Sequence, residues 1–148
     1  MIDWSQIKYF RQFEFNDPSV SESGQYINEA LLYKLETLRE KSGWPIVTHW
    51  RVGGCVDMKG KYGHAINSYH LIKNGARAID FHFKTSASKR EQYRLVESMR
   101  FGGVGLYIDV WKWSNRILPI GFHVDTRPDN LLQRWSCTEK GKYIYLLT

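Results

Sequence analysis

The chain of 148 residues has the length of one ordinary domain, and 43% of its residues are hydrophobic, which favours a packed core over disorder. The net charge of +6 favours anionic partners, but basic residues form no long run and no nucleic-acid-binding motif occurs, so we expect no nucleic-acid partner. The sequence contains no stretch of about 18 apolar residues, so no transmembrane segment is predicted. The N-terminus lacks the apolar region of a secretory signal, which indicates synthesis in the cytoplasm.

The first part of the chain is predicted to contain an N-terminal extension and one helix. Residues 1–24 form the extension, because a polar, turn-rich stretch separates them from the remaining residues. A helix is predicted for 25–42, where apolar residues recur at steps of three and four. These residues are Ile27, Leu31, Leu35 and Leu38.

The remainder of the chain is predicted to alternate between strands and one further helix. β-branched and aromatic residues predict strands at 46–51 and 76–84, and a charged and apolar pattern predicts a helix at 87–101. Short strands are then predicted at 104–108, 120–126 and 142–147. This order predicts a single α+β domain over residues 1–148, with a small, largely antiparallel sheet and helices packed on one side.

Histidines and carboxylates form the main candidate site. His70 lies at the start of a loop that leads into the predicted strand carrying Asp80, so the loop can fold the imidazole back onto the carboxylate. His123 and Asp125 point to the same face of another predicted strand. Two imidazoles and one carboxylate are a common catalytic zinc set that leaves a position for water, and Asp125 can orient a ligand or act as a base. The alternative is a group of hydrogen-bonded polar residues on a sheet.

Several short motifs occur in an order that resembles a known family. They are Ser68-x-His70 with Gly75, Ala78 and Asp80, then His123-Val124-Asp125-x-Arg127, together with Thr48-His49-Trp50-Arg51, Gly102-Gly103-Val104-Gly105-Leu106-Tyr107 and Arg134-Trp135. Over roughly residues 25 to 145, the chain resembles the zinc D-alanyl-D-alanine carboxypeptidase family of murein peptidases.

The resemblance implies a fold, a metal and a substrate. It implies a small α+β fold shared with lysostaphin-type peptidases and hedgehog domains, with zinc held by His70, Asp80 and His123. It also implies cleavage of peptide bonds in peptidoglycan stem peptides or cross-links, with Arg51 and Ser68 supporting the bound carbonyl or carboxylate. A protein of this kind without a signal peptide suits a phage lysis enzyme or a virion-associated enzyme acting at the bacterial wall, and its positive charge suits the anionic wall.

The chain departs from the family pattern in two ways. The spacing from His70 to Asp80 is longer than in common members. In addition, Ile120 and Gly121 occupy the positions where many members carry a Glu or His as the general base.

A base must therefore come from elsewhere if the protein is an enzyme. The candidate catalytic residues are His82, which shares a strand face with Asp80, and Asp125, with His49 and Asp109 as further sources. The alternative is a non-catalytic module that keeps the fold and binds metal or the wall, for example in a phage particle.

Overall fold

The computed structural model describes residues 1–128 and 132–146, which form an α+β fold with two helices and a mostly antiparallel sheet. The helices are α1 (Glu29–Ser42) and α2 (Lys89–Ser98). The strands are β1 (Ile46–Thr48), β2 (Ala78–Phe83), β3 (Gly103–Ile108), β4 (Lys112–Trp113), β5 (Arg116–Ile117), β6 (Ile120–Asp125), β7 (Gln133–Glu139) and β8 (Lys142–Leu146). The main sheet has the order β1-β2-β6-β3-β7-β8, in which only β3 and β7 are parallel, and β4 and β5 form a separate hairpin.

Both predicted helices are present but shorter than expected. The helix predicted for 25–42 begins at Glu29, because the side chain of Asn28 accepts the N–H of Leu31 and caps it there. Gly43, with φ of +70°, ends it. The second helix begins after Ser88, whose hydroxyl accepts the N–H of Glu91.

The predicted strands are confirmed with different ends, and two elements were not predicted. The strand expected at 46–51 ends at Thr48, because residues Trp50–Val52 form a 3-10 turn that Gly53 closes with φ of +84°. The sequence did not predict β7 or the β4–β5 hairpin. The strand expected at 142–147 is β8, and position 147 lies outside the described residues.

The hydrophobic core lies on one face of the main sheet. Both helices bury side chains in this core, so the expectation of helices on one side is met. The shared residues include Leu31, Leu35 and Leu38 of α1, Val96 of α2, Ile79 and Phe81 of β2, and Phe122 and Val124 of β6. Each fully buried side chain of this size contributes about 1.5–3 kcal/mol. Because side chains alternate along a strand, Asp80 and His123 point to the opposite face.

The N-terminal segment packs on the same core. Phe10 and Phe15 are buried in it, and their rings lie 5.3 Å apart. The buried carboxylate of Asp17 accepts hydrogen bonds from the backbone N–H of Met58 and the hydroxyl of Tyr62. Residues 1–24 therefore brace the long loop between β1 and β2.

Within the described part of the chain, neither helix is long and apolar enough to cross a membrane.

Candidate metal centre

The structure brings His70, Asp80 and His123 together. The β2–β6 register sets Asp80 directly opposite His123, and the two are joined by an Nδ1···Oδ1 distance of 3.0 Å. The loop before β2 delivers His70, whose Nε2 lies 3.3 Å from the same Oδ1. One ligand atom from each residue lies within 4.8 Å of the others, so the three can hold a metal ion.

The long spacing between His70 and Asp80 is absorbed by a compact turn. Residues Ile72–Asn74 form a 3-10 turn, and Gly75 ends it with φ of +100°, a conformation that favours glycine. Two backbone hydrogen bonds with Asp57 fix the loop on either side of Leu71: Asp57 N–H to His70 C=O and Ile72 N–H to Asp57 C=O, each 3.0 Å. The extra residues thus leave the imidazole beside the carboxylate.

Each histidine has its second ring nitrogen held in a way that suits metal binding. His70 Nδ1 lies 3.1 Å from the carbonyl oxygen of Cys55, and His123 Nε2 lies 2.9 Å from Oδ2 of Asp125. Both oxygens only accept, so these nitrogens carry the hydrogen. The opposite nitrogens, His70 Nε2 and His123 Nδ1, face Asp80 and are the ones that a metal ion would take, which is the usual outer arrangement of a histidine ligand.

Asp125 is fully buried and engaged on both oxygens. Arg127 donates to them at 2.8 Å and 2.7 Å, and His123 donates to Oδ2. Burial alone would raise the pKa of Asp125, but the hydrogen bonds and charges of Arg127 and His123 hold it well below its ordinary value. Of the two roles expected for Asp125, orienting His123 is the one that this geometry favours.

The ionisable groups at the centre shift one another's pKa values. Burial disfavours the charged form of Asp80, yet His70 and His123 hold the pKa of its carboxyl far below the ordinary value. Burial lowers the pKa of His123, but hydrogen bonds to Asp125 and Asp80 raise it to about 9. In the metal-free protein, His123 is therefore an imidazolium between two carboxylates.

His82 lies beside the centre and pairs with His49. Its Nδ1 is 2.8 Å from His49 Nε2, and both rings are buried. Burial lowers the pKa of each imidazole to about 4, so both are neutral at pH 7. The register that pairs Phe81 with Phe122, continued by one residue, sets His82 opposite Gly121.

His64 is a site residue that the sequence did not single out. Its Nδ1 lies 2.9 Å from Oδ2 of Asp57, a fully buried carboxylate whose other oxygen accepts the N–H groups of Lys59 and Gly60. The ring stacks on His70 with centroids 4.2 Å apart. Burial, and then the neighbouring His70, lower the pKa of His64. A carboxylate seven positions before a histidine is a weak sequence signal, because only the folded loop brings them together.

A cleft of about 740 Å³ opens above Asp80. Its walls are largely aromatic: Tyr107 and Trp111 stack at 4.2 Å, and His49 stacks on Trp113 at 4.4 Å. Gly121 makes room for Trp111, since a Cβ there would lie 2.2 Å from the ring. The residues lining the cleft include His49, Tyr62, His64, Asp80, Tyr107, Trp111, Lys112, Trp113, Lys140 and Tyr143.

Three expected site residues belong neither to the histidine and carboxylate cluster nor to this cleft. Arg51 is exposed on the turn after β1, where its guanidinium lies 5.5 Å from the ring centroid of Trp50. The hydroxyl of Ser68 accepts the N–H of His70 at 3.3 Å and so supports the loop. Asp109 is exposed and pairs with Lys89 at 3.4 Å. None of the three lines the cleft.

No family model, curated protein or solved structure matches this chain, so its function is inferred from the metal centre and the cleft around it.

Proposed function

We propose that the protein is a zinc-dependent hydrolase of peptide bonds in bacterial peptidoglycan, acting on stem peptides or cross-links. The observation that carries this proposal is the His70–Asp80–His123 centre beside an open cleft, with the second nitrogen of each imidazole already held. Two imidazoles and one carboxylate are a ligand set that zinc hydrolases use. The motifs that resemble those of the murein peptidases, in the same order along the chain, support peptidoglycan as the substrate. They also support a fold like that of D-alanyl-D-alanine peptidases and hedgehog domains.

We place its action at the bacterial wall, as a phage lysis enzyme or a virion-associated enzyme. The motif resemblance supports this setting, and the net charge of +6 suits an anionic polymer.

The chain's own residues have distinct tasks in this proposal. His70, Asp80 and His123 hold the ion, and Asp125 keeps His123 in the tautomer that leaves Nδ1 for binding. When bound, zinc polarises a carbonyl oxygen and lowers the pKa of water toward neutrality. Trp111 contributes an apolar wall that orients a peptide and limits water.

The proton acceptor in this proposal is His64. Asp57 accepts the hydrogen of Nδ1, which leaves a lone pair on Nε2, and that nitrogen makes no hydrogen bond to the described residues. The arrangement is the carboxylate–imidazole pair that orients general bases in other hydrolases. His82 and His49 bond to each other, and burial lowers the pKa of each imidazole to about 4, so we do not assign either as the base. His49 lines the cleft, and we assign it to contact with the substrate.

The test is digestion of purified sacculi, with mass spectrometry of the released fragments. We expect peptide release that a chelator abolishes and added zinc restores. His123→Ala should lose both zinc and activity, whereas His64→Ala should keep zinc and lose activity. Glu40→Gln, at an exposed position of α1 that does not line the cleft, is the control and should behave as the wild type. Normal digestion by His123→Ala would contradict the proposal.

A second candidate is a non-catalytic module that binds metal or the wall. The feature in its favour is that Ile120 and Gly121, which cannot accept a proton, occupy the positions where many members of the resembled family carry a Glu or His as the base. Trp111 packs against Gly121. Zinc binding and co-sedimentation with sacculi, without any released peptide, would establish this alternative.

A further inference from the structure

A cavity of about 480 Å³ lies where β2 leads into α2, and it shares no lining residue with the cleft at the metal centre. The polar side chains that line it are mostly cations and hydroxyls, and no Asp or Glu is among the described residues of its lining. They include His82, Lys84, Thr85, Ser86, Lys89 and Arg116. A cavity lined in this way favours an anionic ligand.

The imidazole of His82 joins this cavity to the wall of the cleft. The residue is 4% exposed, and its Nδ1 lies 2.8 Å from Nε2 of His49, which lines the cleft. Its Nε2 makes no hydrogen bond to residues 1–128 or 132–146, yet no side-chain nitrogen in that part of the chain is both enclosed and unbonded. Solvent therefore reaches Nε2, and the cavity that His82 lines is this one, not the cleft. A ligand there can satisfy the free ring nitrogen.

Two cations of the cavity have no acidic partner within the described residues. Lys84 and Arg116 are exposed, and neither forms an ion pair there. Burial, and then the charge of Arg116, lower the pKa of His82, so this guanidinium lies near the imidazole. Lys89 differs from them, because it pairs with Asp109 at 3.4 Å. The free positive charge of the cavity therefore comes from Lys84 and Arg116.

The turn before α2 adds backbone donors to the cavity. The N–H groups of Thr85 and Ser86 make no hydrogen bond to the described residues, and both residues line the cavity. The N–H of Ala87 donates to the hydroxyl of Thr85 at 3.1 Å, which holds the turn in shape. The first N–H groups of α2 have no acceptor within the helix, and a helix N-terminus attracts negative charge.

These donors suit a phosphate group better than a carboxylate. Phosphate presents at least three acceptor oxygens in a tetrahedral arrangement and carries up to two negative charges, whereas a carboxylate is planar, with two oxygens and one charge. Arginine and the N–H groups at a helix N-terminus are common partners of phosphate. The cavity is larger than a single phosphate, so it has room for the organic part of a small ester.

We propose that this cavity binds phosphate, free or as a small phosphate ester, through Arg116, Lys84, Nε2–H of His82 and the N–H groups of residues 85–86. The site is distinct from the metal centre and from the cleft in which the proposed hydrolysis takes place.

The hydrogen bond between the two buried histidines couples the site to the cleft. Donation from Nε2 of His82 to phosphate leaves Nδ1 of the neutral ring as an acceptor. His49 must then donate from its own Nε2 and carry a lone pair on Nδ1. Bound phosphate therefore selects one tautomer of a residue that lines the cleft.

The experiment is an NMR titration of the protein as purified with inorganic phosphate. We expect saturable binding with a dissociation constant of about 1 mM or lower. The largest amide shifts should occur at Thr85 and Ser86, and the ring nitrogen shifts should show a protonated Nε2 in His82 and an unprotonated Nδ1 in His49. Acetate should bind several-fold more weakly. Glycerol phosphate separates the two sources: tighter binding than phosphate identifies an ester as the ligand, and weaker binding identifies free phosphate.

Variants locate the binding groups. Arg116→Ala should weaken phosphate binding about tenfold, as expected for the loss of a charge-assisted hydrogen bond. His82→Phe should also weaken it, whereas His82→Gln, whose amide nitrogen can replace Nε2 as the donor, should bind nearly as the wild type. Arg94→Ala is the control, because Arg94 is an exposed arginine of α2 that does not line the cavity.

Three results would overturn the proposal: no saturation up to about 10 mM phosphate, equal affinity for acetate, or unchanged affinity of Arg116→Ala. His123→Ala separates this site from the metal centre and should bind phosphate as the wild type does; loss of binding in that variant would place the phosphate on the metal and contradict the assignment. If sacculi are not digested but phosphate affinity depends on Arg116, the cavity assignment stands and the hydrolase proposal fails.

Discussion

His123 and Asp125 lie two residues apart on β6, and Nε2 of the imidazole is 2.9 Å from Oδ2 of the carboxylate. The alternation of a strand places both on the same face, and Gly103 on β3 leaves the space for the carboxylate, since a Cβ there would lie 2.1 Å from Oδ2. The pair therefore fixes which nitrogen of His123 faces Asp80.

Asp125→Asn should weaken zinc binding by about 10–100-fold, the range seen when the outer partner of a histidine ligand is removed. The neutral amide is a weaker acceptor from His123 and loses the charge that pairs with Arg127. Zinc titration by calorimetry measures the effect, with circular dichroism to check folding. Asp109→Asn serves as the control, and equal zinc affinity of the two variants would contradict the assigned role of Asp125.

Zinc binding should release about one proton at pH 7. His123 has a pKa of about 9 in the metal-free protein and must become neutral to bind a metal. Below pH 9 the apparent affinity should therefore fall about tenfold for each unit that the pH decreases. Calorimetry at pH 7 in two buffers of different ionisation enthalpy counts the protons; a binding enthalpy that is independent of the buffer would refute this prediction.

Gly121→Ala should destabilise the fold by about 1–3 kcal/mol, because its methyl group overlaps the ring of Trp111. In a Trp111→Ala background, the same substitution should cost far less, since the overlapping atoms are absent. Urea unfolding of the four proteins in this cycle gives the coupling energy. If the losses in unfolding free energy of the two single variants add up to that of the double variant, Trp111 does not lie against Gly121.

Glu97→Gln should reduce stability at pH 7 and have a smaller effect at pH 3. Burial raises the pKa of Glu97, but hydrogen bonds from Arg134 and Tyr93 outweigh it and lower the pKa below the ordinary value of 4.5. A carboxylate with a lowered folded-state pKa stabilises the fold above its unfolded-state pKa, and this contribution is lost as the pH falls. Urea unfolding at pH 7, 4.5 and 3 measures the difference between variant and wild type.

The control for this prediction is Glu40→Gln. Glu40 pairs with Lys8 at an exposed position, so its removal should change stability little at any of the three pH values. A Glu97→Gln difference that stays constant from pH 7 to pH 3 would contradict the role given to the Glu97–Arg134 pair.

The parts of the fold with strong local periodicity could be predicted from the sequence. Leucines at helical spacing mark α1, and alternation marks β6, so His123 and Asp125 were expected on one face. The approach of His70 to Asp80 could also be predicted, because only one loop separates His70 from β2, the strand that carries Asp80.

Elements that depend on distant partners could not be predicted. β7 has a mixed polar sequence, and its extended form depends on parallel pairing with β3. Asp57 and His64 meet only because the loop between β1 and β2 closes on itself.

The position of Arg51 depended on a strand end that the sequence did not reveal. Its β-branched and aromatic neighbours favour a longer strand, but the chain turns after Thr48 and carries Arg51 away from the cleft. Arg51 was assigned to substrate contact by its place in a motif, and a single 3-10 turn places it outside the cleft instead.

The register between β2 and β6 has a consequence for folding. A slip of one residue would turn His123 toward the core and leave Asp80 without its partner. An ion that requires both residues binds the correct register alone, and its binding energy adds to the stability of that register. Metal uptake during refolding would thus act as a check on strand alignment, and its rate would report when the β2–β6 pairing is complete.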